Sequence, residues 1–361
     1  MQPMSEARVL TSAKRGDERA FAALLEPYRR ELHAHCYRML GSVYDADDAL
    51  QDTSLRAWKA LPRFEGRSSL RSWLYTIATN TCLTQIQRRP KRTLPVDYGP
   101  ATDPVAGPGE PVTETVWIEP YPDSELEDGL LGPDARYEQR ESVELAFIAA
   151  LQLLPASQRA VLILREVLGF SAKETAEALE TTVASVNSAL QRARCSIEQR
   201  APERSQQQTL RALEQAGEDL DQIVTAYMEA WERNDVDAVV ALLTEDAAIS
   251  MPPLASWFGP RDVFAVFLRH HPMTGRIRWR ALRTTANGQP AIAYYAYDER
   301  TQAYEAFALN VLTFTGNPHQ RRGRVRDQGD RRRGARALPH VGHDGHRPEA
   351  PAVDVRAFWH A

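Results

Sequence analysis

Apolar residues recur at helical spacing through the first half of the chain. Phe21, Leu24, Leu25, Tyr28 and Leu32 share one face of a 3.6-residue period. After a Gly41-Ser42 turn, residues 45–58 read as a helix with acids in its first turn, where the positive end of the helix dipole favours them. Leu70, Trp73, Leu74, Ile77 and Ala78 then mark one buried stripe, leaving Arg71, Ser72, Tyr75, Thr76, Thr79 and Asn80 off it. A second helical block opens with Val143, Ala146, Phe147, Ala150 and Leu151, stops at Leu154-Pro155 and resumes over residues 158–168. Ser171 and Glu174 form a capping box for a short helix. Glu180-Thr181-Thr182 turns the chain into a last helix, residues 183–199, with a stripe of Val183, Val186, Leu190, Ala193 and Ile197. From about residue 217 the period changes. A helix carrying Ile223, Ala226, Tyr227, Ala230 and Trp231 precedes strands over 247–251, 277–285, 291–297 and 303–314, with Asn287-Gly288 as a hairpin turn.

Charge divides the chain further. Net charge is −4, yet residues 63–92 hold seven basic residues against the single acid Glu65. Residues 93–141 hold twelve acids against Arg136 and Arg140, with eight prolines and five glycines. That composition predicts a linker unable to bury enough apolar surface to offset chain entropy. Its one apolar island, Val116-Trp117-Ile118, precedes Glu119-Pro120-Tyr121-Pro122. A shorter polar linker is expected over 202–208. Residues 316–361 contain ten Arg, six Gly and five of the nine His. They are expected to be disordered and to add no strand, and their composition resembles an out-of-frame reading of GC-rich DNA. Three scattered cysteines predict neither a disulfide framework nor a metal site. No apolar run is long enough to cross a membrane, and residues 1–10 lack the core of a secretory signal, so a cytoplasmic protein is expected.

Three surfaces carry candidate chemistry. Asp45, Asp48, Gln51, Asp52 and Arg56 make a polar helix face suited to a basic partner. Arg67, Arg71, Ser72, Tyr75, Thr79, Asn80, Arg88 and Arg89 combine basic groups with an aromatic, the pairing that neutralises phosphates and stacks on unpaired bases. The two short helices joined by a three-residue turn are a helix-turn-helix. The second presents Ala184, Ser185, Asn187, Ser188, Gln191, Arg192 and Arg194, side chains able to read base edges in a major groove. His33, His35 and Cys36 are structural by their spacing. Asp246, Asp262, His270 and His271 form no paired catalytic constellation, and Met251, Trp257, Phe258 and Tyr295 are candidates to line a pocket.

These segments, in this order and spacing over residues 5–200, resemble the extracytoplasmic-function sigma factors of the sigma-70 family. Residues 45–58 look like their polymerase-docking region, residues 63–89 like their −10 reader and residues 169–194 like their −35 reader. The linker motif Trp117-Ile118-Glu119-Pro120-Tyr121-Pro122 and the C-terminal extension resemble the SigG-like subgroup. Asn187, Ala189 and Thr79 stand where basic residues are frequent in that family. The extension resembles the SnoaL-like branch of the NTF2-like cone, a fold that grants no activity by itself. The resemblance implies a multidomain chain. Its expected parts are an all-α region 2 domain (5–92), an acidic linker (93–140), an all-α region 4 domain with the helix-turn-helix (141–201), an α+β NTF2-like cone (217–315) and a tail (316–361). It implies a sigma factor with no cofactor, metal or catalytic residue of its own, modulated by its cone. Core RNA polymerase and promoter DNA are the implied partners, with a small ligand or an anti-sigma protein as further ones. An NTF2-like-fold enzyme with a DNA-binding extension is the competing expectation.

Overall fold

The computed structural model of the chain describes residues 6–112, 117–126, 139–200, 202, 204–315 and 353–359. Helices α1 (Glu6–Lys14) and α2 (Glu18–Leu25) lead into α3 (Arg29–Leu40), α4 (Val43–Ala60) and α5 (Leu70–Ile86). Side chains fix three of these starts: Asp17 accepts from the Arg19 and Ala20 N–H groups, Ser42 from Asp45 and Ser69 from Ser72. Helix α3 stops at Gly41, whose φ of +71° is the left-handed cap that glycine adopts without strain. A Cβ there would also meet the Gln152 side chain at 3.0 Å. A single turn, α6 (Pro95–Tyr98), opens the acidic segment. The second helical unit comprises α7 (Leu145–Leu153), α8 (Ala156–Leu162), a π turn over Ile163–Val167, α9 (Ala172–Ala178) and α10 (Val183–Glu198). The Ser171–Glu174 capping box starts α9 as expected.

The two helical units share one apolar core. Leu32, Met39, Ala46 and Ala78 of the first join Leu145, Leu151, Ile163 and Val186 of the second. The expectation that this segment cannot bury enough apolar surface to order itself is corrected here. Leu94, Trp117, Ile118, Tyr121 and Leu126 are all buried. The reason is local pairing. Thr93 and Trp117 form a parallel bridge, the Ile118 N–H donates to the Thr93 carbonyl (3.1 Å) and the Glu119 N–H to that of Gly41 (3.0 Å). With backbone groups satisfied this way, a few apolar side chains suffice to hold the segment.

The third unit begins earlier than the composition predicts. Residues 206–208 are not linker but open α11 (Gln206–Gln215), capped by Ser205 and anchored through buried Leu213. Helices α12 (Leu220–Glu232), α13 (Val236–Ala241) and α14 (Arg261–His270) follow, with a short antiparallel pair, β1 (Ile249–Ser250) and β2 (Trp257–Phe258), between the last two. An antiparallel sheet in the order β3-β4-β5-β6 completes the cone, with β3 Trp279–Ala286, β4 Gln289–Asp298, β5 Ala303–Phe314 and β6 Val353–Trp359. Its core is filled by Tyr227, Trp231, Phe264, Phe267 and Tyr294. Met251 and Phe258 pack into that core rather than lining a pocket, with Phe258 stacked on Phe267 at 4.0 Å. Trp257 instead gives its indole N–H to the Gly99 carbonyl (2.8 Å).

Strand β6 corrects the reading of the tail. Residues 353–359 pair with β5 from Val353↔Phe314 to Trp359↔Ala308. Val353, Val355, Phe358 and Trp359 are strand formers, and the Arg- and His-rich average of the whole segment hid them. The disorder expected for residues 316–352 lies outside the described residues.

The β3–β4 turn ties the cone to everything else. Asn287 and Gly288, at φ +56° and +68°, make a two-residue turn in the left-handed region that such hairpins require. Asn287 is fully buried against the helical units. Its amide donates to the Tyr37 hydroxyl (2.9 Å) and the Val143 carbonyl (2.7 Å), while its Oδ1 accepts from the Tyr121 N–H (2.9 Å). Its own N–H donates to the Tyr121 carbonyl (2.8 Å), and the Gly288 N–H to Asp123 Oδ1 (2.8 Å). Replacing Asn287 by Ala strands the Tyr121 N–H, at about 1–3 kcal/mol for a buried group left unpaired, and leaves the Tyr37 hydroxyl only its bond to the Glu119 carbonyl (2.7 Å). The expected outcome is a lower thermal midpoint and faster proteolysis within residues 117–126; an unchanged midpoint and cleavage rate would contradict the clasp.

Candidate functional site: polymerase and promoter faces

The candidate docking face lies on α4. Asp48, Gln51, Asp52 and Arg56 are exposed along one side of this helix. Tyr44 and Leu55, 72% and 52% exposed, fall on the same side at helical spacing. Sequence reasoning passed over both because it sought polar residues there. An exposed apolar pair among acids was the available signal.

Asp45 does not belong to this face. It is buried, and accepts from Arg92 Nε (3.1 Å) and Nη2 (2.6 Å) and from Arg89. Arg92 also donates to the Trp117 carbonyl (2.5 Å) and to Glu119 Oε1 (3.3 Å). Glu119 Oε2 in turn accepts from the Ser42 hydroxyl (2.8 Å) and the Val43 N–H (3.0 Å). The linker thus caps α4, and Asp45 is the counter-ion that holds it there.

The −10 candidates are divided. Arg67 and Arg88 are exposed, Arg67 paired with Glu65 (2.5 Å). Arg89 reaches back to Asp45 and to Asp48 (3.6 Å). Arg71 grips Glu31 through three contacts of 3.1–3.2 Å, its guanidinium 4.8 Å from the Tyr75 ring centroid and 5.9 Å from that of Phe170. Ser72 is half-buried beside the Ser69 cap. The expectation that Tyr75 and Thr79 lie off the buried stripe is corrected: both have no exposed surface, while Trp73 and Ile77 are only half-buried. Two neighbours rotate the stripe. Phe170, ahead of α9, meets Tyr75 edge-on at 5.7 Å, and His35 Nε2 lies 2.9 Å from the Thr79 hydroxyl. Burial pushes His35 down to about 3, so it stays neutral in this contact. Asn80 is half-buried, 3.5 Å from the Ala178 carbonyl of α9. The second helical unit therefore covers the upper part of this face.

The −35 candidates are open. Ala184, Ser185, Asn187, Ser188, Gln191, Arg192 and Arg194 are all exposed on α10. Thr182 caps this helix through the Ser185 N–H (3.1 Å), and Arg194 Nε pairs with Glu166 (2.7 Å). The expected stripe holds at Val186, Leu190 and Ala193, while Val183 is 43% exposed. In the cone, His271 contacts the Pro104 carbonyl (3.1 Å) and His270 its own helix at Val266 (2.8 Å). Among the described residues no helix is long and apolar enough to cross a membrane.

Two packed helical units, the second with a helix-turn-helix, and a C-terminal cone on one chain have the architecture of a DNA-binding protein with an added domain. Comparisons with known proteins agree. A family model for Sigma-70 region 2 matches residues 24–92, one for Sigma-70 region 4 matches 144–195, and one for a SnoaL-like domain matches 224–325. The ECF RNA polymerase sigma factor SigG of Mycobacterium tuberculosis is 44% identical over 303 residues, covering 83% of this chain and 78% of that protein. SigW of Bacillus subtilis is 31% identical over 196 residues, 54% of this chain and 95% of that protein. The crystal structure of M. tuberculosis SigJ superposes with a TM-score of 0.50 at 17% identity, covering 94% of this chain and 96% of that one, a likeness of fold. The chain belongs to the extracytoplasmic-function RNA polymerase sigma factors. It binds core RNA polymerase and promoter DNA to start transcription and is not an enzyme, which sets aside the competing expectation.

Removing the Asp45 carboxylate leaves Arg92 buried with only part of its pairing. Asp45→Ala is expected to destabilise the chain by on the order of 3 kcal/mol, as when a buried pair is broken from one side. Asp48→Ala touches an exposed pair and is expected to cost under about 1 kcal/mol. Urea unfolding of both variants checks this; equal midpoints would mean that Asp45 holds nothing.

Proposed function

We propose that this is the resting form of a sigma factor whose cone holds it closed. The observation that carries the reading is the Arg71–Tyr75 surface covered by Phe170 while α10 stays open. Core polymerase docks on the α4 face of Asp48, Gln51, Asp52 and Arg56, with Tyr44 and Leu55 supplying apolar contact. Docking separates the helical units and frees Arg71, Tyr75 and Asn80, with Arg67, Arg88 and Arg89, for the −10 strand. Ser185, Asn187, Ser188, Gln191 and Arg192 read the −35 element, and Arg194 holds phosphate. The cone acts through Asn287 and through contacts along residues 99–112, where the Thr102 N–H donates to the Trp257 carbonyl (3.0 Å) and the Val112 N–H to that of Pro253 (3.0 Å). A ligand with unequal contacts in the closed and open forms would shift their balance. The place of action is the cytoplasm, with the polymerase.

Reversing Asp48 and Asp52 to Lys together is expected to weaken core binding at unchanged thermal stability. A folded double variant with full core affinity would remove α4 as the docking face. On the −35 side, Arg192→Ala and Gln191→Ala are expected to cost roughly 1–3 kcal/mol each on the preferred promoter and to relax base preference at one position. Binding that drops equally on every sequence would make them phosphate contacts instead.

Run-off transcription from the DNA upstream of the chain's own gene, with core polymerase, tests the whole reading. Truncation after residue 205 is expected to keep the start site and to raise output several-fold when core is limiting, in line with coupling energies of ~1–3 kcal/mol. Equal output from the full and truncated chains at the same limiting core would leave the cone without a regulatory role.

A further inference from the structure

The cone sheet has an outer face that the helical units cover only at one end. Residues directly opposite in an antiparallel ladder share a face, and successive residues alternate between faces. Trp279, Ala281, Tyr294 and Leu312 point into the cone core. Their strand neighbours point the other way. Near the Asn287 turn those neighbours, Ala286, Ala291 and Val311, are buried in the core of the helical units. Towards the other end the same face opens. Leu282 is 49% exposed, Arg278 and Arg280 are exposed, and Tyr295, Tyr297 and Tyr304 are half-buried.

Register gathers these side chains into one patch. Arg280 stands opposite Tyr295, and Tyr297 opposite Tyr304. The Tyr297 N–H donates to the Arg278 carbonyl (3.0 Å), which places Arg278 beside them. The Tyr297 and Tyr304 rings meet edge-on with centroids 5.2 Å apart. The Arg278 guanidinium lies 3.8 Å from the Tyr297 ring centroid, and that of Arg280 4.5 Å from the Tyr304 centroid.

The strands bring cations to this patch and no acids. Asp298 and Glu305 stand opposite Ala303 and Ala296, in the rows that point away from it. Arg283 is in such a row too, and pairs with Asp221 of α12. Arg278 reaches Glu299 of the β4–β5 turn (2.7 Å), a pair 58% and 76% exposed and so of little worth to stability. Among the described residues no carboxylate pairs with Arg280. Aromatic rings and planar guanidinium groups beside unneutralised positive charge are what a single nucleic-acid strand needs: bases stack on the planes and phosphates take the charge. A duplex hides its base faces and can use the charge alone. A second copy of the chain fits poorly, because a two-fold contact sets the same patch against itself, cation facing cation. Promoter DNA is already a partner of this chain, and its opening exposes single strands.

We propose that the outer face of the cone sheet, centred on Arg280, Tyr297 and Tyr304, binds single-stranded DNA exposed when the promoter opens. The patch lies outside both helical units, so this role does not depend on whether the cone holds those units closed.

Ultraviolet cross-linking of a short oligothymidylate to the full chain, with adducts mapped by mass spectrometry, tests it at the patch itself. Adducts are expected on the peptides bearing Tyr295, Tyr297 and Tyr304. Their half-saturating strand concentration is expected to rise about tenfold in Arg280→Glu and in Tyr304→Ala, at an unchanged thermal midpoint. Arg280 is exposed, so its reversal tests the patch even if Tyr304→Ala fails to fold. No adduct on these peptides, or a half-saturation that Arg280→Glu leaves unchanged, overturns the proposal. A matched duplex that competes as well as the single strand also overturns it. An oligouridylate that half-saturates these adducts at lower concentration would assign the patch to RNA. A dimer in sedimentation that Arg280→Glu alters would assign it to a second copy.

Discussion

The burial of Asn287 is the contact on which the rest of the arrangement depends. One amide at the tip of a hairpin satisfies groups from α3, from the Trp117–Tyr121 segment and from the entry to α7. Each partner is itself withdrawn from water, so none can relax singly without leaving a buried polar atom unpaired. The cone therefore does not hang from the helical units by its connecting chain. It holds the segment that joins them, and that segment caps the docking helix through Glu119.

This linkage explains why the interaction faces differ in accessibility. The α4 and α10 faces point to solvent, so the proposed polymerase docking and major-groove contact would require no rearrangement. The α5 face is partly filled by Phe170 and by the Arg71–Glu31 pair. An aromatic over Tyr75 and a carboxylate on Arg71 use the same stacking and charge that an unpaired base and its phosphate would use. On the proposed reading, closure of this kind would compete with DNA by occupying the chemistry of the site as well as by blocking it.

Much of this was legible in the sequence. The capping box at Ser171 and Glu174, the Asn287-Gly288 turn, strand 303–314 and the exposed face of α10 follow from local rules: caps, turn geometry and periodicity. What escaped was set by contacts distant in sequence. Tyr75 and Thr79 read as surface because their cover, Phe170 and His35, lies on other elements. Asp45 read as a docking residue because its partners Arg89 and Arg92 arrive from beyond α5. The acidic segment read as a linker because its average composition outweighed its one apolar island, whose anchoring contact at Gly41 is distant in sequence, and the same averaging hid β6.

The central claim is that the helical units are clasped in the free chain and separate on polymerase. Spin labels at Arg67 and Gln191, both exposed and one on each unit, report it directly through the distance between them. The account predicts a single narrow distribution for the free chain and a longer one after addition of core polymerase. A broad distribution in the free chain, or one that core polymerase leaves unchanged, would contradict it.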